Sequence, residues 1–286
     1  MDYVNISGYQ FFALEDLPLL KTQLKALTLK LALKGTILLS SEGINLFLAG
    51  GPTQITNFQQ ALTQQFGFPE FECKKSYSAY QPFSRMLVKI KAEIITMGIK
   101  EINPGLKPAP AISSQTLKQW LDEGRDVVLL DTRNDYEMAL GKFASAITLD
   151  LTHFRSFPKA VQQLDPRLKS KTIVTYCTGG IRCEKAAPYL IEQGFEQVYQ
   201  LDGGILKYFE TVGQAHYQGD CFVFDKRVAV NAQLQETATT QCFACRMPVL
   251  PEQQRSPYYV VEKFCPHCYH RNAAQHTPPS STDKAL

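Results

Sequence analysis

Hydrophobic positions in the first 100 residues recur with two different periods. Apolar residues spaced three and four apart predict helices, whereas alternating or continuous apolar runs predict strands. Pro52 sits at the predicted start of the second helix, where a proline is well tolerated. The predicted elements are a strand at 8–14, a helix at 17–33, strands at 35–40 and 43–48, a helix at 52–66, and strands at 71–77 and 86–95. This βαββαβ order predicts a ferredoxin-like (acylphosphatase-like) α+β domain with two helices on one face of an antiparallel sheet.

The pattern changes twice after this unit. Pro104, Pro108 and Pro110 interrupt regular structure and predict a semi-rigid linker. Helical patterns then alternate with short apolar strands, which is typical of a parallel α/β domain. The predicted segments are an N-terminal domain (1–101), a linker (102–111), a central α/β domain (112–216), a C-terminal strand with a cysteine module (217–270) and a polar, disordered tail (271–286).

Composition limits the functional classes. The chain has 286 residues, of which 44% are hydrophobic and 20% charged, as is ordinary for a globular protein. It contains no run of 18 apolar residues and no basic-then-apolar N-terminus, so we expect neither a membrane span nor a secretory signal. Eight cysteines without an export signal favour reduced thiols and metal ligands over disulfides. We therefore expect a cytoplasmic protein.

The formal net charge of +3 is too small to identify a nucleic-acid-binding protein. Residues 1–111 carry 11 Lys and Arg against 8 Asp and Glu, which is a balance of 11 − 8 = +3. The N-terminal domain is therefore the better candidate for contacting phosphates. A solvated face of lysines explains the same count equally well.

Cys177 lies between a predicted buried strand that ends at Tyr176 and a predicted helix that begins at Arg182. A helix N-terminus favours an anion, because its first N–H groups are unpaired and its dipole is positive there. Gly179 and Gly180 allow the loop to curl so that several N–H groups converge on one atom. Arg182 adds a positive charge that faces either the sulfur or an anionic substrate. These effects favour a nucleophilic thiolate over a buried structural cysteine.

The length of the loop separates two kinds of cysteine enzyme. Arg182 is the fifth residue after Cys177, and Thr178 and Ile181 complete the loop. Cysteine phosphatases of the tyrosine-phosphatase and Cdc25 types carry one more residue before the arginine; in this chain Cys183 occupies that position. The shorter loop suits one extra sulfur atom and resembles the active loop of rhodanese domains, whose cysteine carries a persulfide.

Other motifs resemble the rhodanese pattern in the same order. They are the strand ending in Asp131-Thr132-Arg133, the pair Tyr136-Glu137, the turn at residues 141–146, and the strand and Gly-Gly turn at residues 198–205. The turn departs from the family pattern with Phe143 and Ser145. Asp131 and Arg133 are assigned a supporting role, since an ordinary ion pair at a strand end explains them as well.

Two Cys-x-x-Cys pairs lie 19 residues apart near the end of the chain. Two intervening residues allow both sulfurs of a pair to reach one ion, and four thiolates complete a closed tetrahedral zinc site. The predicted ligands of a structural zinc ion are Cys242, Cys245, Cys265 and Cys268. His267 and His270 are alternative ligands, and free thiols or two disulfides are the alternatives to a metal.

The combination of these parts resembles the TrhO/YceA family of bacterial tRNA uridine hydroxylases (the UPF0176-like proteins). The matching stretches are residues 38–45, 131–137, 177–183 and 221–225. The resemblance implies an oxidoreductase that uses molecular oxygen for 5-hydroxylation of the wobble uridine, position 34, of tRNA. The chain shows no iron-binding facial triad, haem motif, or flavin or NAD fingerprint that would explain how oxygen is activated.

The resemblance also suggests where tRNA binds. Lys74, Lys75, Tyr77 and Arg85 lie on or beside the last two predicted strands of the N-terminal domain, where cations and aromatic rings suit the anticodon region. The alternative is that the aromatic residues of this segment pack against the central domain.

Several chemical roles remain open at the sequence level. Cys177 acts as a thiolate or a persulfide, and one hypothesis is attack on C6 of uridine, which makes C5 electron-rich. Cys183 either resolves an oxidised Cys177 or packs as a small apolar residue. The alternative functions are a rhodanese-type sulfurtransferase, supplied by a sulfur donor protein or a small thiol, and a non-catalytic RNA-binding or sulfur-carrier module. The oligomeric state is not predicted.

Overall fold

The computed structural model describes residues 2–269. His270 and the predicted tail at 271–286 lie outside the described residues. The N-terminal domain contains strands β1 (Tyr3–Phe11), β2 (Lys34–Ser40), β3 (Gly43–Gly50), β4 (Cys73–Ser78) and β5 (Met86–Ile90), and helices α1 (Leu17–Lys30) and α2 (Pro52–Gln64). The strand order is β4-β1-β3-β2-β5, in which β5 joins β2 in parallel and the other pairs are antiparallel.

The predicted ferredoxin-like arrangement is confirmed, and both helices cover one face of the sheet. Leu24 of α1 and Phe58 of α2 are fully buried against Ile37 and Leu46 of the sheet. Each such side chain contributes about 1.5–3 kcal/mol through burial. The other face of the sheet carries no helix of this domain, so it is available to the rest of the protein.

Element boundaries differ from the sequence prediction where the chain turns. Strand β1 begins at Tyr3 instead of residue 8, because Val4 and Ile6 add alternating contacts to the core. Helix α1 ends at Lys30 instead of residue 33, because Ala32 takes a left-handed conformation (φ 52°) and the Leu33 N–H bonds to the Thr28 carbonyl. The last predicted strand, 86–95, ends at Ile90.

The central domain is built on a parallel sheet, as predicted. Its elements are β6 (Ala111–Ile112), α3 (Ser114–Asp122), β7 (Val127–Asp131), α4 (Asp135–Met138), β8 (Gly141–Phe143), α5 (Phe157–Val161), β9 (Thr172–Tyr176), α6 (Ile181–Glu192), β10 (Gln197–Leu201) and α7 (Gly204–Val212). The sheet order is β6-β10-β9-β7, with all pairs parallel. The carboxyl ends of β7 and β9 therefore meet at one edge, where parallel α/β sheets place their functional loops.

The remaining elements are short. They are β11 (Tyr217–Gly219), β12 (Cys221–Phe222), β13 (Ala229–Val230), β14 (Thr240–Gln241), β15 (Pro248–Val249) and α8 (Pro251–Gln254). Strand β11 pairs with β8 and thus extends the central domain, while β14 pairs with β15 in the cysteine module. The strand predicted over residues 221–224 ends at Phe222.

The N-terminal and central domains are joined by buried charges and by the intervening segment. Lys185 of α6 is 1% exposed and forms ion pairs with Glu42 (2.8 Å) and Glu93 (2.7 Å). Ile102, in the predicted linker, and Ala109 are buried in a cluster of the central domain. These contacts fix the second face of the N-terminal sheet against the loops at the carboxyl edge of the central sheet.

Candidate active site

Cys177 follows β9 directly and is fully buried at the start of the loop that leads into α6. The Gly180 N–H donates a hydrogen bond to its sulfur at 3.1 Å. Gly180 has φ 99°, a conformation that L-residues rarely adopt, and it is the residue immediately before α6. The N–H groups of Gly180 and Arg182 thus both point at the Cys177 sulfur.

The Gly203-Gly204 turn and the start of α7 pack against the carbonyl side of this loop. The N–H groups of Ile205 and Leu206, in the first turn of α7, donate to the carbonyls of Cys177 (3.0 Å) and Thr178 (3.1 Å). A β-carbon on Gly204 would lie 2.4 Å from the Cys177 carbonyl oxygen, so only glycine permits this approach. Because α7 binds the loop carbonyls, the opposite side of the loop is free to present its N–H groups.

Arg182 is held by Glu137, a residue to which the sequence assigned no role at the site. Both side chains are buried, and the guanidinium donates to both carboxylate oxygens, at 2.7 Å for Oε1. Thr178 also donates to Glu137, at 2.9 Å. Glu137 therefore fixes two residues of the loop at once. The only sequence signal for it is its place in the Tyr136-Glu137 motif.

The surroundings of Cys177 favour its thiolate. Burial opposes the charge, but the Cys183 thiol and the charge and N–H of Arg182 outweigh it and lower the pKa of Cys177 to about 5. Burial and the neighbouring Cys177 raise the pKa of Cys183. Cys183 is fully buried, with its sulfur 3.7 Å from the Thr132 hydroxyl. Of the two thiols, Cys177 is the one whose surroundings favour the thiolate, the form in which a cysteine is nucleophilic.

Asp131 and Arg133 form a fully buried ion pair that does not enter the loop. The Arg133 guanidinium also donates to the Gly141 carbonyl at 2.7 Å and to the Tyr217 hydroxyl at 3.3 Å. The pair therefore ties the end of β7 to β8 and β11. Its contacts are those of a structural support beneath the site.

A cavity of about 420 Å³ lies between the Cys177 loop and the N-terminal sheet. Its sheet wall includes Tyr9, Asn45, Phe47 and Lys74, which alternate with the residues that face the helices. Tyr9 also donates to Glu184 of α6 at 3.0 Å. The sequence prediction did not foresee that both domains build this cavity. The signal available was the second face of β1 and β3, which carries aromatic and amide side chains instead of the charges of a solvated face.

The residues predicted to bind tRNA do not form one surface. Strands β4 and β5 lie at opposite edges of the sheet, so Lys75 and Arg85 are separated by the three strands between them. Lys75 and Tyr77 are exposed on one face of β4, whereas Lys74 turns to the other face and lines the cavity. Arg85 lines an open cleft of about 1070 Å³ that it shares with Arg246 of the cysteine module.

The four cysteines of the C-terminal module converge as predicted. Their sulfurs all lie within 4.8 Å of one another, with separations of 3.8 Å for Cys242 and Cys268 and 3.6 Å for Cys245 and Cys265. A tetrahedron with metal–sulfur bonds of about 2.3 Å has edges of about 3.8 Å, whereas a disulfide bond is about 2.05 Å long. The four thiols are therefore placed to hold one metal ion and are not paired as disulfides.

Within residues 2–269, no helix combines the length and the apolar character needed to cross a membrane. The fold and the cysteine loop define a rhodanese-type protein, and the model of the rhodanese-like domain matches residues 113–211. The model of the UPF0176 acylphosphatase-like domain matches residues 3–94. A solved rhodanese-like domain from Anabaena sp. is 24% identical, covers 39% of this chain and 80% of its own, and gives a TM-score of 0.33.

Full-length relatives identify the family. A protein from Cupriavidus taiwanensis named tRNA uridine(34) hydroxylase is 52% identical over 94% of this chain and 97% of its own length. A protein of the same name from Paraburkholderia xenovorans is 50% identical over the same shares of the two chains. The chain belongs to the tRNA uridine(34) hydroxylase family.

Proposed function

We propose that this protein is an oxidoreductase that hydroxylates C5 of the wobble uridine of tRNA, with Cys177 as its nucleophile. The relatives supply the reaction class and the substrate through their name. The observation that carries the proposal for this chain is the position of Cys177, whose surroundings favour its thiolate, at the wall of a cavity built by both domains. A volume of about 420 Å³ lies within the range of small-ligand pockets and is large enough for one base turned out of the anticodon loop.

The chemistry at the base begins with the sulfur. The Cys177 thiolate adds to C6 of uracil, so that an S–C6 bond forms and the C5=C6 electron pair moves onto the C4 carbonyl oxygen. The resulting enolate is electron-rich at C5, and the only group that it can expel is the Cys177 thiolate itself, which reverses the addition. With molecular oxygen as co-substrate, one oxygen atom enters at C5 and the other leaves as water, which requires two electrons from a donor and, over the whole reaction, two protons. Loss of the C5 proton then expels the Cys177 thiolate from C6, so that the S–C6 bond breaks and the C5=C6 double bond is restored.

Arg182 and Glu137 serve this step by positioning. Their bidentate pair holds the loop in the conformation that directs the Gly180 N–H at the sulfur, while the positive charge favours the thiolate. Thr178, Gly179, Gly180 and Ile181 form the rest of the loop. The residues with a supporting, structural role are Asp131, Arg133 and Cys183.

The C-terminal module is proposed to bind one structural zinc ion through Cys242, Cys245, Cys265 and Cys268. The separations of the sulfurs fit a closed tetrahedral site with no open position. Such a site stabilises the fold of its module and takes no part in the reaction. It also holds Arg246 beside the open cleft that Arg85 lines from the N-terminal domain.

The anticodon region of tRNA is proposed to enter through that cleft. The cleft and the cavity share Thr36, Phe83 and Phe224 in their walls, so they adjoin. Arg85, Lys226 and Arg246 supply positive charge along the cleft. Lys75 and Tyr77 lie at the other edge of the sheet. A tRNA bound in the cleft would contact them only if its interface extended across the whole sheet.

Isotope labelling of tRNA nucleosides tests the proposed reaction. Cells with and without the gene are grown under ¹⁸O₂, and the nucleosides are analysed by mass spectrometry. The proposal predicts labelled 5-hydroxyuridine derivatives only when the gene is present. Loss of thiolated nucleosides on deletion, with 5-hydroxyuridine derivatives unchanged, would instead indicate a sulfurtransferase. No change in either class would indicate a non-catalytic module.

A further inference from the structure

Lys74 lies in the same cavity as Cys177 although the two residues belong to different domains. It is on the edge strand β4 opposite Ser7, and its side chain faces the side of the sheet away from the helices. The next residue, Lys75, points to the other face and is exposed. Two adjacent lysines therefore have different surroundings, which provides a matched pair for comparison.

The Lys74 side chain is half-buried, and its ammonium lacks the partners that a cation withdrawn from water normally has. In the part of the chain that the structure describes, it has no hydrogen bond or ion pair, and it lies over the face of the Tyr9 ring, 5.5 Å from the centroid. Burial lowers the pKa of Lys74, while Cys177, Glu72 and Asp202 raise it from a distance. By contrast, the buried Lys185 has two carboxylates at hydrogen-bond distance.

An unpaired cation at the wall of a cavity indicates a ligand that completes its contacts, because burying a charged group without hydrogen bonds is costly. Whatever reaches the Cys177 sulfur also passes the Lys74 ammonium, since both line one cavity. If a base of tRNA is the group that enters, its phosphates stay on the outside with the backbone. Uracil offers only two strong acceptors, its carbonyl oxygens.

We propose that the Lys74 ammonium donates a hydrogen bond to a carbonyl oxygen of the target uracil and thereby positions the ring against Cys177. This assignment rests on the proposed function and names the group that binds the base. The same hydrogen bond strengthens when negative charge moves onto the C4 carbonyl oxygen during addition of the thiolate, so it favours the reaction as well as binding. The N-terminal sheet is then the base-binding wall of the site.

The test compares Lys74→Met with Lys75→Met as the matched control. Methionine keeps the length of the side chain and removes the charge, so the variant retains the packing of the cavity wall. Each variant is expressed at a low, equal level in cells lacking the gene, and 5-hydroxyuridine derivatives are measured in their tRNA. Lys74→Met is expected to lower that level by about tenfold or more, in line with the loss of a hydrogen bond to a charged group. Lys75→Met removes an exposed cation of the same strand, and any loss of modification that it causes is expected to be smaller and to follow its loss of tRNA affinity.

Three further measurements distinguish a contact with the base from a contact with the phosphates, from misfolding and from a loss of charge. Purified Lys74→Met should bind tRNA extracted from the deletion cells with the affinity and salt dependence of the wild type, because phosphate contacts dominate both. Cys177 should still react with the neutral reagent iodoacetamide at pH 6 as fast as in the wild type, because only the folded loop lowers its pKa to about 5. Lys74→Arg, which keeps the charge, should restore part of the modification.

Three results would overturn the assignment. Modification by Lys74→Met within about twofold of the wild type would remove the role of the ammonium. A weaker tRNA affinity with a shallower salt dependence would make Lys74 a phosphate contact. If the wild-type chain forms no 5-hydroxyuridine, the proposed function itself fails and the assignment fails with it, whereas an active wild type with an active Lys74→Met isolates the failure to Lys74.

Discussion

Replacing Arg182 with methionine should change two properties of the protein that are measured separately. The guanidinium favours the Cys177 thiolate, and it also neutralises Glu137, which is 0% exposed. Loss of an opposite charge beside an ionisable group shifts its pKa by about 1–3 units. The pKa of Cys177 should therefore rise from about 5, and a rise of about two units lowers the thiolate fraction at pH 6 by about tenfold.

The second property is stability, since the substitution leaves a buried carboxylate without its partner. Breaking a buried pair in this way costs about 3–5 kcal/mol. Burial alone then raises the pKa of Glu137, whereas Arg182 lowers it in the wild type. A carboxyl with a raised pKa is neutral and tolerated in the interior at low pH, whereas at high pH it is stable only with an unpaired buried charge. Arg182→Met should therefore lose more stability at pH 8 than at pH 5.

The two effects are separated by the double variant Glu137→Gln with Arg182→Met. Removing both charges should recover most of the lost free energy of unfolding, measured in urea, because the carboxylate that would lack its partner is removed as well. The pKa of Cys177, measured from the pH dependence of iodoacetamide alkylation, should stay raised. Arg125→Ala, which removes an exposed arginine paired with Glu123, serves as the control and should change neither quantity.

An unchanged pKa of Cys177 in Arg182→Met would refute this reasoning about the thiolate. The loop N–H groups and the helix N-terminus would then set the reactivity alone, and Arg182 would be a residue that orders the loop through Glu137. A double variant as unstable as Arg182→Met would in turn refute the account of Glu137 as an uncompensated charge.

Three further predictions concern the other parts of the molecule. Elemental analysis of protein purified without chelator should show about one zinc ion per chain, lost in Cys242→Ser with Cys245→Ser; absence of metal from the wild type would contradict the site. Arg85→Ala should weaken tRNA binding and flatten its salt dependence more than Lys75→Ala does, because only Arg85 lines the cleft beside the cavity; the reverse order would place the tRNA along β4. Lys185→Met leaves two carboxylates facing each other and should cost about 3–5 kcal/mol in urea unfolding, and a loss below about 1 kcal/mol would show that this ion cluster does not join the domains.

The fold and the Cys177 loop could be predicted from the sequence because the patterns that determine them are local. The apolar strand at 43–48, the Gly179-Gly180 turn and the Cys-x-x-Cys pairs each determine structure within a few residues. The βαββαβ order and the parallel sheet follow from the sequence of such elements. The family assignment predicted from the combined motifs is confirmed by the full-length relatives.

The cavity could not be predicted from the sequence, because it depends on how two domains pack. Lys74 and Cys177 are far apart in the chain. No local sequence pattern indicates that the helix-free face of the N-terminal sheet covers the Cys177 loop of the central domain. Glu137 illustrates the same limit, since a carboxylate in a short helix gives no sign that it holds Arg182. The sequence also grouped Lys75 with Arg85, although sheet order places them at opposite edges.

The most direct test of the central claim is the 5-hydroxyuridine content of tRNA from cells that lack the gene and carry either the wild-type chain, Cys177→Ser or Cys73→Ser. A serine hydroxyl in the loop stays protonated and is a poor nucleophile, whereas Cys73 lies in the N-terminal domain and its burial raises its pKa to about 11. Mass spectrometry of the nucleosides should detect 5-hydroxyuridine derivatives with the wild type and Cys73→Ser, and none with Cys177→Ser. Modification by Cys177→Ser at the level of the wild type would contradict the claim that this thiolate carries out the reaction.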